Sequence, residues 1–432
     1  MPETMQVTTD FSTDPYWWRG TSLAADAGDT LPAKADIVIV GSGFTGASAA
    51  LEAARSGRSV VVVDAGSLGF GASSRNFGYL TGGLGKSRLA RRHPGQKGED
   101  ISRAYPEAAD HVLNLLEREE IDAGLRHEGL SILAHSPEAF TAIKAQAEQD
   151  FNVERGVKVF SAEQLSAEMI ASERFYGGVF NPTAIAVQPG QYVAGIIAAA
   201  RRYGARFVPF CEALELKGQA GNWTIVTSKG EIRAGKIGLG TDGHSGKLFP
   251  FLRRRIVPVV GTVIATEELP ADVMKRIFPR LTWFSDTQFG FLCFRPSPDH
   301  RRVIFAKAGL PGSFNRDAKP YAARVYKEMV KTVPELAQFR VAHAWAASVG
   351  VTFDGVPHLG IKDGVHYAAG YNGSGVAMAS YLGYWMGRRL VGDMDHQLVF
   401  ENETFPTNIL YTGNTWFMPG LRVLLNALKL QV

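Results

Sequence analysis

Three glycine-rich turns and one acid are the residues of this chain whose types and spacing could do chemistry. The first turn is GSGFTG, in which Gly41, Gly43 and Gly46 keep the G-x-G-x-x-G spacing. In that spacing the first glycine makes a tight turn, the second lets backbone approach a pyrophosphate, and the third lets a helix sit close to a sheet. Phe44 and Thr45 stand between them, at the start of the helix whose free N–H groups would face the phosphate. Asp64 lies at the distance expected of an acid that accepts hydrogen bonds from an adenosine ribose. The second turn, Gly240-Thr241-Asp242-Gly243, and the third, Gly370-Tyr371-Asn372-Gly373-Ser374-Gly375, offer two more approaches of backbone to a ligand.

The elements that must position these turns follow in order. Ile37–Val40 is a continuous apolar run, as expected of a parallel strand covered on both faces. An Ala-rich helix spans Phe44–Ser56, Gly57 ends it, and Ser59–Val63 is the second strand that delivers Asp64. A strand, turn, helix, strand and acid in this order predict the opening βαβ unit of a dinucleotide-binding domain. Residues 65–86 form a long Gly- and Ser-rich loop, in which Ser73, Ser74, Arg75 and Asn76 supply hydroxyl, guanidinium and amide groups just beyond the ribose acid. Loops of this length inside a compact domain are usually functional or disordered.

From Ile101 to Gln149 the apolar spacing turns helical and a second lobe is expected to begin. Residues 184–204 read as a turn and helix. Strands are expected at 205–210, 214–217, 223–228 and 234–239, the last running into Gly240 and Thr241. Alternation at 257–265, 282–295 and 302–308 predicts an antiparallel sheet as the floor of a substrate lobe. Helices are expected at 321–333 and 376–390, strands at 343–351 and 367–370, and at 414–430 an amphipathic helix that closes the substrate lobe or, alternatively, lies on a membrane surface. The fold class is therefore α/β: a Rossmann-like domain built from residues 32–100, 182–250 and 350–395, interleaved with a mixed-sheet lobe from 101–181, 251–349 and 396–432.

Composition narrows the function. A net charge of +4 over 432 residues, with no basic tail or stripe, gives a nucleic-acid partner little support. Two cysteines, Cys211 and Cys293, make neither a disulfide framework nor a metal site, and fit a reducing, cytoplasmic setting. The first residues, MPETMQVTTDFSTDPYWW, have no apolar stretch of signal-peptide kind, and no window reaches the length of a membrane span. The late turn bears on the cofactor. A nicotinamide dehydrogenase has no standard need for it, whereas a flavin does, because a helix N-terminus stabilises the negative charge of its reduced ring.

These residues resemble the D-amino-acid-oxidase-like flavoproteins, near the branch with monomeric sarcosine oxidase, glycine oxidase and γ-glutamylputrescine oxidase. The resemblance spans nearly the whole chain and rests on PYWW, VIVGSGFTGASAA, GFGASSRNFGYL, FRPSPDHRRVIFAKAG, WAASVGVTFDGVPHLG and AAGYNGSGVAMA. It implies FAD lying extended across the discontinuous domain. Gly41, Gly43, Phe44, Thr45, Gly46, Asp64 and Ala65 would hold its ADP part, and Ser73, Ser74, Arg75 and Asn76 the pyrophosphate and ring edge. Gly370, Tyr371, Asn372, Gly373, Gly375 and Val376 would hold the ring, with Gly78, Leu80, Ala213, Gly240 and Thr241 as further contacts. The implied chemistry is oxidation of a C–N bond in a small secondary amine or N-substituted amino acid, with imine hydrolysis and return of the electrons to O2 as hydrogen peroxide. Lys307 falls where the sarcosine-oxidase branch places a lysine near the flavin; the competing reading is a strand-edge lysine extended to solvent.

Departures from the pattern carry their own expectations. No cysteine stands near VGVTFDG and no histidine in SSRN, so FAD is expected to be non-covalent. Val376 and Ala377 replace a carboxylate-binding lysine, and Thr81 stands near the place of an arginine, which leaves simple sarcosine in question. Arg295, Arg302 and His244 are the other candidates to grip a substrate acid, each with an alternative as an ordinary surface or core residue. A dehydrogenase passing electrons to a quinone or carrier protein, and a flavin-binding assembly factor without turnover, are the competing functions.

Overall fold

The computed structural model describes residues 4–23, 26–80, 93–150, 156–288, 290, 292–311, 318–401 and 404–414. Two large sheets organise the described chain. In the first, Lys34–Val40 lies between Val60–Val63 and Gly230–Leu239, parallel to both, and Arg206–Val208 extends it beyond Val60–Val63. The first half of Gly230–Leu239 pairs with the hairpin strand Asn222–Thr227, and its last three residues pair in parallel with Val365–Tyr367. Alternation explains why these short strands hold. Ile37, Ile39, Val60 and Val62 face one core, Val38, Val40, Val61 and Val63 the other, and burying each such side chain contributes about 1.5–3 kcal/mol.

Helices Phe44–Arg55, Pro189–Arg202 and Gly375–Val391 share the first core. Helix Gln96–Arg118 packs with them, so the lobe boundary expected at residue 101 falls inside an element of the nucleotide side. Its apolar stripe of Ile101, Ala104, Tyr105, Ala108, Val112 and Leu115 explains the choice: the helix buries that face against Gly375–Val391.

The second sheet has nine strands in the order Val7–Ser12, Val341–Val351, Val257–Thr266, Val303–Pro311, Leu292–Pro296, Trp283–Asp286, Leu130–Leu133, Gly177–Asn181 and Lys158–Ser161. The single strand expected over 282–295 is a hairpin, because Asp286 accepts from the N–H groups of Gln288 and Leu292 and closes a turn. One face of this sheet is covered by helix Lys319–Thr332 over a stack of Phe284, Phe294 and Phe305, with centroids 4.9 and 4.7 Å apart. The other face meets the first lobe through Trp17, Val263, Ala265, Ile304 and Trp345. Most of the C-terminal helix expected at 414–430 lies outside the described residues. Among the described residues no helix is long and apolar enough to cross a membrane.

The tightest packing lies under the first turn. A Cβ at Gly46 would stand 1.8 Å from the Gly41 carbonyl oxygen, so the helix sits on the strand only because that side chain is absent. Gly46→Ala is expected to destabilise the protein by about 3 kcal/mol through overpacking against backbone. Denaturant unfolding measures this, and an unchanged midpoint would contradict the packing.

Candidate active site

The parallel strands end side by side, so Val40, Val63, Leu239 and Ala369 deliver Gly41, Asp64, Gly240 and Gly370 to one edge of the sheet. Ligands of open parallel sheets bind at that edge. A cavity of 720 Å³ opens there, within the range of about 300–1,000 Å³ typical of small-molecule sites. All three glycine-rich turns line it. Gly41, Gly43, Phe44 and Thr45 come from the first, Gly240 and Thr241 from the second, and Tyr371, Asn372, Gly373, Gly375 and Val376 from the third. Asp64, Ala65, Ser73, Asn76 and Ala213 complete the expected set that reaches the cavity, together with His244.

The acid and the loop after it are held by one network. Asp64 Oδ2 accepts from the N–H and the hydroxyl of Ser42 at 2.8 and 2.6 Å, and Oδ1 accepts from Gly66 N–H at 2.9 Å. Ser42 Oγ in turn accepts from Gly69 N–H at 2.9 Å, which ties the loop to the first turn. Ser73 Oγ accepts from Phe44 N–H at 2.8 Å and keeps its own proton to donate. Helix Phe44–Arg55 has Gly43 as its cap and helix Gly375–Val391 has Ser374, and neither cap side chain bonds to its helix. Two helix N-termini whose own cap residues make no side-chain bond therefore face one cavity, the first with its Phe44 N–H engaged by Ser73, and their remaining N–H groups and dipoles favour negative charge there. Thr45 Oγ1 and the buried Tyr371 hydroxyl, 2.6 Å apart, join the first turn to the third.

These features fit FAD. The first helix N-terminus and Ser73 suit a pyrophosphate, Asp64 a ribose, and the third turn with its helix N-terminus a ring that gains negative charge. Other residues of the expected set act behind the cavity wall. Gly46 and Gly370 shape the turns. Ser74 accepts from Trp18 Nε1 at 2.8 Å and donates to the Gly69 carbonyl at 2.7 Å. Arg75 lies over the rings of Phe70 and Trp18, at 4.1 and 4.9 Å, and its Nε donates to the Phe70 carbonyl. Gly78 makes room for the Val187 carbonyl, and Leu80 is buried in a short strand paired with Ile185.

The substrate candidates divide. His244 lines the cavity, and burial pushes its pKa below the usual histidine value against the opposing charges of Asp242 and Asp64. Arg295 does not reach the cavity. It is buried over the Trp283 ring at 4.4 Å, donates to the carbonyls of Pro296 and Phe77, and lies 3.7 Å from Glu128; burial pulls its pKa down to about 10. Arg302 is bound to the Thr266 carbonyl and to Glu268, away from the cavity. Thr81 lies outside the described residues.

Lys307 requires a correction. It pairs in register with Thr262 and Leu292, and strand alternation turns it toward helix Lys319–Thr332, where its Nζ stands 3.9 Å from Glu328 Oε2. Its neighbours Ile304 and Ala306 take the face toward Trp17 and Phe77. The expected place near the flavin and the alternative of an ammonium in solvent both fail, since Lys307 is buried on the opposite face. Burial lowers its pKa, and Glu328 opposes that shift.

Sequence reasoning does not single out Phe77, Tyr79, Ser348, Val349 and Gly350, which line the same cavity. Phe77 and Tyr79 follow the Ser73–Asn76 cluster at alternate positions, and that spacing was the available signal. Among the described residues no cluster of possible metal ligands occurs.

The chain's profile matches the family described as "FAD dependent oxidoreductase" over residues 36–389. It is 27% identical over 402 residues to the probable oxidoreductase OrdL of Rhizobium meliloti, covering 90% of each chain. It is 24% identical over 371 residues to the γ-glutamylputrescine oxidoreductase of Escherichia coli, covering 85% of this chain and 86% of that one. Among solved structures, glycine oxidase from Geobacillus kaustophilus superposes with a TM-score of 0.70 at 18% identity, covering 88% of this chain and 99% of that one. Iminodiacetate oxidase from Chelativorans sp. BNC1 superposes with a TM-score of 0.65 at 19% identity, covering 83% and 95%.

If Asp64 holds the adenosine ribose, Asp64→Ala removes hydrogen bonds to a charged group, worth about 1.5–3 kcal/mol. FAD titration of the variant apoprotein, followed by flavin fluorescence, is expected to show a dissociation constant raised about 10- to 100-fold. Wild-type affinity would mean that the ribose is held elsewhere.

Proposed function

Because this chain belongs to the FAD-dependent oxidoreductase family, we propose that it oxidises a C–N bond in a small secondary amine or N-substituted amino acid and returns the electrons to O2 as hydrogen peroxide. The observation that carries the reading is that one cavity joins two helix N-termini and Asp64 to an aromatic and apolar wall. FAD, when bound, accepts the hydride released from the carbon next to nitrogen. The protein's part is to hold, orient and shield.

Phe77, Tyr79, Val349 and Tyr371 line the cavity with apolar surface, which excludes water and strengthens every polar contact inside. Hydride leaves readily only from an uncharged amine, and His244 lines the cavity where burial disfavours its charged form. The similar proteins bear on the substrate class by their names: glycine, iminodiacetate and γ-glutamylputrescine each carry an amine nitrogen next to a CH2 group. Several of the similar proteins are oxidases, which supports O2 as acceptor.

The test is anaerobic bleaching of the bound flavin by sarcosine, iminodiacetate, γ-glutamylputrescine, glycine and butylamine, with air admitted afterwards. Bleaching by one of the secondary amines or N-substituted amino acids, then recovery within seconds and stoichiometric peroxide, is expected. Bleaching without recovery in air would contradict the oxidase half and favour a carrier protein or quinone as acceptor. A flavin that no amine bleaches would contradict the reaction class.

A further inference from the structure

The second glycine-rich turn holds a carboxylate that neither the family pattern nor the ADP-binding role uses. Asp242 follows the strand Gly230–Leu239 at a φ of +39°, in the left-handed region that non-glycine residues adopt at a cost. Its Oδ2 accepts from the N–H of Gly350 at 2.9 Å, near the end of strand Val341–Val351 of the nine-stranded sheet. Its Oδ1 accepts from the N–H of Gly370 at 2.7 Å, the residue that opens the third turn. One side chain thus ties three segments that are remote in sequence and belong to both sheets.

The surroundings are shaped to this contact. A Cβ at Gly350 would stand 2.4 Å from Asp242 Oδ1, so the glycine leaves room for the carboxylate. Asn372 reinforces the same junction: its N–H donates to the Gly350 carbonyl at 3.1 Å, and its Oδ1 accepts from Thr352 N–H at 2.9 Å. Asp242 also lines the cavity. Its charge reaches the third turn, where it adds to burial in raising the pKa of the Tyr371 hydroxyl.

We propose that Asp242 is a positioning residue: it sets the spacing between the flavin-holding third turn and the lobe strand beside it, and its negative charge opposes the charge a flavin gains on reduction. The proposal rests on the flavin reading above but not on the amine chemistry. A fixed charge acts on a nearby ring most strongly where water is excluded, and a held turn spares the cofactor the entropy of ordering it.

The test compares holoenzyme and apoprotein of Asp242→Asn and Gly350→Ala with the wild type. Asp242→Asn keeps the shape, removes the charge, and turns an NH2 group toward one of the two N–H donors. It is expected to raise the FAD dissociation constant about tenfold and to shift the bound flavin's midpoint potential to more positive values. Gly350→Ala displaces the carboxylate without removing its charge, so it is expected to weaken FAD similarly with a smaller potential shift. The double variant should weaken FAD by less than the product of the two. Wild-type FAD affinity in Asp242→Asn would overturn the positioning role, and an unshifted or more negative potential would overturn the charge role. Gly350→Ala gives the affinity reading independently if Asp242→Asn does not fold. An enzyme that oxidises no amine leaves both readings measurable.

Discussion

The parallel register of Lys34–Val40, Val60–Val63, Gly230–Leu239 and Val365–Ala369 is the constraint on which the site depends. Because the four strands run the same way, with Val40, Val63 and Leu239 level and Val365–Ala369 running two residues further, the residues after them come to one edge from positions as far apart as Gly41 and Gly370. Shifting one strand by a residue would break that level and exchange its two apolar faces, so the register is held by both cores at once. The helices add the second half of the device. Phe44–Arg55 and Gly375–Val391 pack together and bring two N-termini to the same cavity, and the Thr45–Tyr371 bond links their approaches.

The second sheet contributes a wall of the cavity through Ser348, Val349 and Gly350, and it is attached by aromatic and polar contacts. Trp17 is fully buried between the lobes, its carbonyl accepts from Gln188 Nε2 at 2.7 Å, and Trp18 Nε1 donates to Ser74. From the other side Trp345 Nε1 donates to the Arg75 carbonyl at 3.0 Å. The loop that carries Ser73 and Asn76 is therefore clamped from two directions, one of them the aromatic segment near the start of the chain. A loop rich in Gly and Ser has little core of its own, and these clamps explain how it can present a fixed hydroxyl to the cavity.

Much of the nucleotide half was legible because its signals are local. An apolar run, a glycine spacing and an acid at a fixed distance are all contained within residues 37–64. What was illegible depends on parity and on distant partners. The side to which Lys307 turns follows from strand register, where one residue decides between cavity and opposite core, and a linear pattern match does not carry that parity. Arg295 and Arg302 stand in the sequence both as candidates to grip a substrate acid and as ordinary surface or core residues, and Trp283, Glu128, Thr266 and Glu268 engage them from other strands and loops. Helix Gln96–Arg118 announced its apolar stripe without saying which lobe would cover it. Asp242 stood inside a turn already read as an approach to a ligand, yet its partners Gly350 and Gly370 lie more than a hundred residues away.

The central claim is that the three turns form one cradle for a dinucleotide, with the ADP half held by the first βαβ unit and the ring by the third turn. Equilibrium titration of the apoprotein with FAD and with FMN tests it most directly, since FMN has the ring and lacks the adenosine. One FAD per chain, released intact when the protein is denatured, is expected, with FMN bound at least ~100-fold more weakly because several hydrogen bonds and the helix N-terminus lose their partner. Equal affinity for the two would mean that Gly41–Gly46 and Asp64 hold nothing, and would contradict the account.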